Sequence, residues 1–244
     1  MGGGAIWLSL MPNKALISDK NKDIIRLYQT ISRYNPYDIY LYLQDFVKQH
    51  NEGGKQFYYS LREDEGIRMP PPWHAARMLF LSKTSFNGLY RVNKSGKFNV
   101  PYGHPSKHVR EYVVRLEQLL ELSGYLTKAN VTLSCKNFGD ALREATSNDF
   151  VYLDPPYIPT STTASFTAYT PDGFTMEDQR RLRDSLIRLR EQGTRFILSN
   201  SDTSETHRLY KGFNIRTIGV NRGIKPKSDI KKHQPTQELL IYNL

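Results

Sequence analysis

The apolar residues of this chain follow two periods, which predict alternating strands and helices. Apolar runs of about four to eight residues are typical of buried strands, and recurrence every three or four residues is typical of helices. Runs of the first kind occupy Ala15–Asp19, Val131–Ser134, Phe150–Leu153, Arg195–Ser199, Phe213–Val220 and Glu238–Asn243. The second period covers Lys22–Ser32, Asp140–Glu144, Met176–Glu191 and Thr203–Lys211. The alternation predicts an α/β fold with an open, mostly parallel, doubly wound sheet covered on both faces.

The stretch from Pro36 to Leu126 interrupts this alternation and is predicted to be helical. Helices are expected over Tyr37–His50, Trp73–Lys83 and near Val109–Leu122, with irregular backbone at Gly53–Met69. The chain is long enough for one good core with a smaller attached domain. We therefore expect a sheet domain of residues 1–35 and 127–244, with residues 36–126 inserted as a helical subdomain.

The distribution of basic residues along the chain predicts a surface that binds nucleic acid. The chain has 34 Lys and Arg residues against 24 Asp and Glu, a net charge of +10. The excess is uneven, because Ser82–Arg110 holds six basic residues, no acidic one, and the rings of Phe86, Tyr90, Phe98 and Tyr102. A second basic stretch spans 222–232. Cations spaced by aromatic rings are typical of surfaces that contact phosphates and bases, although a solvated loop is the alternative.

Cysteine count and hydropathy exclude several classes of protein. The single cysteine, Cys135, excludes an internal disulfide and leaves no Cys/His metal cluster, so no metal is predicted. The longest apolar runs, such as Met78–Leu81, are far too short to cross a bilayer, and no signal peptide is visible. We expect a cytoplasmic protein without membrane contact, in which Cys135 is buried.

The tetrapeptide Asp154-Pro155-Pro156-Tyr157, at the end of the Phe150–Leu153 run, carries the most specific chemistry. The Asp154 carboxylate and the Pro155 carbonyl can accept both hydrogens of a planar exocyclic amine, since proline offers no competing backbone donor. Tyr157 can stack on the base that bears the amine. A strand ending in a proline turn is the plain alternative. The motif and its context favour methylation of an amine.

The N-terminal segment resembles half of a nucleotide-binding βαβ unit. Gly2-Gly3-Gly4 is predicted to form a glycine turn ahead of a short helix, and the predicted Ala15–Asp19 strand ends in an acid. A glycine turn brings backbone close to a ligand, and an acid at the next strand end can bind both ribose hydroxyls. Asn21 is expected to cap the helix that follows. Taken alone, a glycine-rich chain start could equally have no binding role.

Taken together, these motifs resemble the α-group, or D12 class, of Dam-like DNA adenine-N6 methyltransferases. The similarity covers nearly the entire chain and rests on Phe86–Asn93, Gly96–Gly103 and Phe150–Tyr157, together with Gly2–Ala5, Leu16–Asn21, Ser165–Tyr169 and Leu198–Thr203. The resemblance implies a Rossmann-like methyltransferase sheet, with the helical insert as target-recognition subdomain. It also implies S-adenosylmethionine as cofactor and double-stranded DNA as partner.

The resemblance assigns roles to individual positions. Gly2, Gly3, Gly4, Asp19 and Asp154 would bind S-adenosylmethionine, and Asp154, Pro155, Pro156 and Tyr157 would hold a flipped adenine. The DNA-recognition residues would be Phe86, Asn87, Leu89, Arg91, Asn93 and Pro101. Among these, Phe86 would be an aromatic wedge, Arg91 would contact a guanine, or in the plainer alternative a phosphate, and Leu89 and Pro101 would pack on a thymine methyl. In the relatives this pattern accompanies the sequence GATC or a related site.

Members of that family carry a cofactor-binding segment ahead of the glycine turn, with an aromatic residue, two glycines and a lysine. The sequence begins at Met1 beside the turn, so a chain lacking this segment is expected. A catalytically impaired DNA-binding remnant is therefore one alternative, and a methyltransferase acting on RNA or protein is another. We expect a monomer without an obligate protein partner. A companion restriction endonuclease is compatible with this expectation.

Overall fold

The computed structural model describes residues 4–93, 95–103, 115–160, 173–220 and 236–244. The chain divides into two compact units, Gly2–Cys135 and Lys136–Leu244, and each is described by itself. Both contain helices and strands, which confirms the α/β class. The predicted domain boundaries at 35/36 and 126/127 stay a prediction.

The N-terminal unit contains five α-helices and two strands in its described part. They are α1 (Ala5–Leu10), β1 (Lys14–Asp19), α2 (Lys22–Arg33), α3 (Pro36–Glu63), α4 (Pro71–Thr84), α5 (Leu116–Lys128) and β2 (Asn130–Cys135). The two strands pair in parallel, with Asp19 opposite Cys135. The Asn21 side chain accepts the backbone N–H groups of Asp23 and Ile24, which confirms the predicted cap of α2.

Helix α3 runs further than the glycines at 53 and 54 predict. The sequence predicts an irregular segment from Gly53, but the helix kinks at Gly54 (φ 49°) and continues to Glu63. The apolar stripe explains the continuation: Phe57 packs on Phe46 and Phe80, and Tyr58 is fully buried. Packing of that stripe outweighs the helix-breaking preference of glycine, which is about 1 kcal/mol per residue.

The C-terminal unit is a four-stranded sheet with helices. Its elements are α6 (Phe138–Arg143), β3 (Phe150–Leu153), α7 (Met176–Glu191), β4 (Arg195–Ser201), α8 (Ser204–Leu209), β5 (Asn214–Val220) and β6 (Thr236–Tyr242). The strand order is β3-β4-β6-β5. Strands β3 and β4 are parallel, so their carboxyl ends lie at the same sheet edge. Strand β6 is antiparallel to both of its neighbours.

Helix α7 covers this sheet with its apolar stripe. Leu182, Leu186 and Leu189 are at most 1% exposed and pack with Phe196 and Leu198 of β4. A capping box begins the helix, in which Thr175 and Asp178 exchange side-chain and backbone hydrogen bonds. The core and the cap together fix α7 against β4.

Two further expectations differ from the structure. The pattern predicts a mostly parallel sheet, whereas the described strands form two sheets containing two antiparallel pairs, because an apolar run predicts a strand but not its direction. Cys135 is predicted to be buried, but it is exposed. It is the last residue of β2 and shares a strand face with the half-buried Val131 and Leu133, so its exposure reflects its position at the end of the strand.

Candidate functional site

Asp154 lies where β3 ends, directly beside β4. Leu153 pairs with Leu198, so the next residues, Asp154 and Ser199, are neighbours at the carboxyl edge of the sheet. The Ser199 hydroxyl donates a hydrogen bond to Asp154 Oδ1 at 3.0 Å. Among the described residues no group donates to Oδ2, and Asp154 is exposed. One carboxylate oxygen is thus held in place while the other can accept a ligand donor.

The two proline carbonyls that follow have different surroundings. The Pro156 carbonyl accepts a hydrogen bond from Gln179 Nε2 at 2.8 Å. No donor from the described part of the chain reaches the Pro155 carbonyl. Within that part of the chain, an available carboxylate oxygen and an available carbonyl oxygen therefore occur on adjacent residues.

Tyr157 is half-buried and fixed at its hydroxyl end. Its hydroxyl donates to Glu238 Oε2 at 3.0 Å, and Glu238, on β6, is only 8% exposed. Burial raises the pKa of the Tyr157 phenol, and the charges of Asp154 and Glu238 raise it further, while a hydrogen bond with Ser199 lowers it. The raised pKa keeps the phenol neutral and able to donate at neutral and moderately alkaline pH.

Sequence reasoning missed three residues that contact this motif. Ser199 and Glu238 bind Asp154 and Tyr157, and Gln179 binds Pro156 from the first turns of α7. For Ser199 a signal existed, since Leu198–Thr203 is among the segments carrying the resemblance. A buried acid in a strand also marks Glu238 as unusual. Nothing local distinguishes Gln179 from other polar residues of α7.

Gly4 is the described member of the predicted glycine turn, because Gly2 and Gly3 lie outside the described residues. It is the N-cap of α1, with φ 83° and ψ 7°, a left-handed conformation that favours glycine. A Cβ here would lie 2.7 Å from the Tyr28 hydroxyl and 2.8 Å from Trp7 Nε1. Close approach and conformation both require glycine at this position.

Two polar groups of the N-terminal unit lie at or near the positions predicted to bind the cofactor. Asp19 ends β1 and is half-buried, and its Oδ1 accepts the Asn21 backbone N–H at 2.8 Å. The indole Nε1 of Trp7, beside Gly4, is buried and finds no hydrogen-bond acceptor among the described residues. A buried donor without an acceptor costs about 1–3 kcal/mol, which an acceptor on a ligand would relieve.

Residues 85–93 and 95–103, here called the 85–103 loop, form an antiparallel loop. Isolated bridges pair Ser85 with Tyr102 and Val92 with Phe98. Gly103 closes the base, where a Cβ would lie 2.3 Å from the Ser85 carbonyl oxygen. Val100, whose carbonyl accepts the Tyr58 hydroxyl at 2.8 Å, is buried. The loop is therefore anchored on α3.

Most of the predicted recognition residues are exposed on this loop. Phe86 is 50% exposed and Leu89 is 39% exposed, so both apolar side chains are accessible from solvent. Asn87, Asn93 and Pro101 are exposed as well. Asn87 has a positive φ of 55°, a conformation that asparagine tolerates better than most residues. Side chains of the types that pack on or wedge between bases are thus available to a partner.

Arg91 is positioned by a neighbour on the same loop. Its Nε donates to Asn99 Oδ1 at 2.8 Å, and its Nη2 donates to the Asn99 carbonyl at 3.2 Å. A guanidinium has five N–H donors, so these two bonds leave three for other acceptors. The remaining edge suits a bidentate contact.

Folding brings acidic groups to a segment that has none in its sequence. Lys97 forms an ion pair with Glu65, and the Tyr90 hydroxyl donates to Asp23 at 3.4 Å. The first contact partly neutralises a cation of the predicted phosphate-binding surface. Lys94, Lys107 and Arg110 lie outside the described residues, as does the basic stretch at 222–232.

The described residues also bear on metal binding and membrane insertion. Within the described ranges, no three His, Cys, Asp or Glu side chains form a group that could hold a metal ion. No described helix combines the length and apolar character needed to cross a membrane.

Comparison with known proteins identifies a family and several relatives. The family model for D12 class N6 adenine-specific DNA methyltransferases matches residues 1–224. The Type II methyltransferase M1.LlaDCHI of Lactococcus lactis is 38% identical over 93% of this chain and 79% of its own length. Type II methyltransferase M.MjaIII of Methanocaldococcus jannaschii is 36% identical, over 100% and 86%. The DNA adenine methylase of Escherichia coli is 30% identical, over 95% and 81%.

Proposed function

Because the chain belongs to the D12 class N6 adenine-specific DNA methyltransferase family, we propose that it methylates the exocyclic amine of adenine in duplex DNA. One observation carries the proposal. The available Asp154 Oδ2 and the available Pro155 carbonyl occur on adjacent residues, beside the half-buried ring of Tyr157. The names of the relatives support DNA as substrate, since two are Type II methyltransferases and one is a DNA adenine methylase.

The motif acts by accepting hydrogens. Asp154 and Pro155 each accept one hydrogen of the amine, which turns the nitrogen lone pair away from the ring and makes it nucleophilic. No base has to remove a proton first, because the amine can release its proton to solvent after the new C–N bond has formed. The residues supply orientation and electrostatic stabilisation. Ser199 keeps the carboxylate in place through its bond to Oδ1.

An adenine reaches these acceptors only outside the base stack. Flipping a base costs a few kcal/mol. Stacking on the Tyr157 ring recovers about 1–3 kcal/mol of that cost. An exposed aromatic side chain such as Phe86 can fill the gap left in the duplex. The 85–103 loop is therefore the proposed DNA-recognition element, with Phe86, Asn87, Leu89, Arg91, Asn93 and Pro101 in contact with DNA.

The family implies a methyl donor, and we propose S-adenosylmethionine. When bound, it supplies a methyl group activated by a sulfonium. Gly2, Gly3, Gly4, Asp19 and Asp154 are the proposed contacts, with Asp19 on the ribose hydroxyls. The left-handed Gly4 and the buried Trp7 indole, which finds no acceptor in the described part of the chain, fit a polar ligand near α1.

The recognition sequence and the topology of the fold belong to the same proposal. The recognition sequence is proposed as GATC or a related site, on the family pattern of the 85–103 loop. The fold is proposed as a doubly wound Rossmann-like sheet with residues 36–126 as target-recognition insert. The parallel pairs β1–β2 and β3–β4 and the helices of the N-terminal unit support the proposed fold.

A parallel methylation assay tests the proposed substrate. Purified protein is incubated with radiolabelled S-adenosylmethionine and, in separate reactions, duplex DNA with and without GATC sites, structured RNA, and a bulk protein extract. Label is expected in N6-methyladenine of duplex DNA alone. Label in RNA or protein, with none in DNA, would replace the proposal by the corresponding alternative.

Two substitutions of Tyr157 separate its ring from its hydroxyl. Tyr157→Ala should reduce kcat/KM by the loss of base stacking, about 1–3 kcal/mol or roughly 5- to 150-fold. Tyr157→Phe keeps the ring but removes the donor to buried Glu238, so it should lower the melting temperature while most of the turnover remains. Steady-state kinetics and thermal unfolding measure the two effects.

The pH dependence provides a control for the same residue. Because the folded-state pKa of Tyr157 is raised, the hydrogen bond to Glu238 is fully present below the ordinary phenol pKa near 10 and is lost only above the folded value. Wild-type and Tyr157→Phe activities should therefore show no separate decline between about pH 8 and pH 10. A Tyr157→Phe protein as inactive as Tyr157→Ala would argue against ring stacking.

A further inference from the structure

A ring of three hydrogen bonds, two of them buried and one partly buried, encloses the backbone of Tyr157. The Ile158 backbone N–H donates to Asn200 Oδ1 at 3.0 Å, and Asn200 Nδ2 donates to Gln179 Oε1 at 3.3 Å. Gln179 Nε2 then donates to the Pro156 carbonyl at 2.8 Å. Pro156 and Ile158 flank Tyr157, so both of its peptide groups are bound. We call Gln179, Asn200 and these two peptide groups the Tyr157 clamp.

The clamp is buried on the side of Asn200 and Gln179, whereas Pro156 is exposed. Asn200 is 0% exposed, Gln179 is 2% exposed, and Ile158 is 5% exposed. The Tyr210 hydroxyl, fully buried, adds a second donor to Gln179 Oε1 at 3.1 Å. Buried amides whose groups are hydrogen-bonded make a rigid and specific arrangement, whereas a single buried group left unpaired is destabilising.

The order of donors and acceptors around the ring determines which way the side-chain amides of Gln179 and Asn200 point. A carbonyl must face Gln179 Nε2, so Oε1 of the same amide faces Asn200 and Tyr210. Asn200 Oδ1 then faces the Ile158 N–H, and it also accepts the Ser201 backbone N–H at 2.9 Å. Reversing either amide would oppose two acceptors or two donors, so the ring has one favourable orientation.

The elements that hold the clamp are themselves rigid. Gln179 is on the first turns of α7, just after its capping box, and Asn200 is in β4. Strand β4 also supplies Ser199, which binds Asp154, and Ser201, whose hydroxyl donates to the Ile158 carbonyl at 2.5 Å. The loop from Asp154 to Ile158 is thus held from one strand and one helix.

From this geometry we propose that Gln179 is a positioning residue for methyl transfer, acting through the Pro156 and Ile158 peptide groups on the Tyr157 ring and the Pro155 carbonyl. The inference rests on the proposed function. The proposed contacts with the amine all lie in the Asp154–Tyr157 motif. Gln179 lies outside it, on α7, and acts on it indirectly. A displacement of about 1 Å at reacting groups lowers rates by up to about 100-fold.

Three variants test the proposal on the full chain with S-adenosylmethionine and duplex DNA. Gln179→Leu removes both clamp contacts and should lower kcat by about 10- to 100-fold, with KM for DNA changed by less than about threefold. Gln192→Leu is the matched control, because Gln192 also donates to a backbone carbonyl, that of Ala145, but away from the motif. It should lose stability with little change in kcat.

The Gln179→Glu variant is expected to make kcat depend on pH, which a purely structural role of Gln179 would not do. When protonated, the introduced carboxyl can donate to the Pro156 carbonyl as the amide does, whereas its ionised form places two acceptors together. Burial raises the pKa of a carboxyl, so this variant should be active at low pH and lose kcat as pH rises through that raised value. Wild-type enzyme should lack this decline.

Hydrogen exchange of the Ile158 amide tests the clamp independently of the proposed function, because the measurement does not require methylation. Exchange should accelerate by about tenfold or more in Gln179→Leu and stay unchanged in Gln192→Leu, whether or not methylation is measured. Wild-type protein that methylates no DNA would overturn the proposed function, and the exchange rates would still decide the clamp. A folded Gln179→Leu protein with wild-type kcat, or with wild-type Ile158 exchange, would overturn the inference.

Discussion

Replacement of Asp154 by alanine is expected to lower the methylation rate by about 10²–10³-fold or more, the size of effect seen when one oriented electrostatic contact is removed from an active site. The variant loses the carboxylate oxygen beside the Pro155 carbonyl, and water cannot replace an acceptor held by Ser199. DNA affinity should change by less than about twofold, because the proposed DNA contacts lie on the 85–103 loop. Single-turnover methylation and equilibrium DNA binding measure the two quantities.

Asp184→Ala is a suitable control for this experiment. Asp184 is an exposed carboxylate on α7 that pairs with Arg183, so the same change of charge occurs in the same unit without touching the motif. Its rate should match wild type. Asp154→Asn should also be strongly impaired, since an amide oriented by the Ser199 hydroxyl would present N–H groups to the incoming amine. Near wild-type methylation by Asp154→Ala would refute the assignment.

Arg91→Ala is expected to reduce discrimination at one guanine of the recognition site by about 1–3 kcal/mol, or roughly 5- to 150-fold in relative kcat/KM. The reason is geometric. Asn99 occupies Nε and one Nη2 hydrogen, and the remaining edge of the guanidinium can bind two acceptors on a guanine. Competition between duplexes that differ at a single base pair measures the effect.

Lys97→Ala is the control that separates base reading from simple attraction. A lysine that contacts phosphate strengthens binding to all sequences alike, so its removal weakens them uniformly and reduces the salt dependence. The Glu65 ion pair already engages Lys97, so the effect of its removal should be small as well as uniform. If Arg91→Ala instead weakened all duplexes equally, Arg91 would be a backbone contact.

The local motifs of this chain were predictable because short segments encode their own backbone. Asn21 caps α2 as expected, and Thr175 caps α7, since cap side chains bind N–H groups two or three residues away. Strand β3 ends at Leu153, immediately before the acid and the prolines. The motif residues and their acceptor oxygens follow from that placement.

Other features of the fold were not predictable from segments taken singly. The glycines at 53 and 54 suggest an end to α3, but long-range packing of Phe57 and Tyr58 continues the helix. The direction of β6 and the exposure of Cys135 likewise depend on which neighbours each strand acquires. Local preference is weak compared with burial of a large side chain.

Short segments of the chain encode the reactive groups: a strand that ends in a carboxylate and two prolines, a run of glycines, and a loop of cations and aromatic rings. The side chains that support these groups come from distant segments and depend on how the elements pack. Asp154 and Ser199 are 45 residues apart, and Tyr157 and Glu238 are 81 apart. A hydrogen bond between such residues depends on strand register and helix placement, which no short segment encodes. Gln179 and Asn200 enclose Tyr157 only because α7 and β4 pack on the same loop.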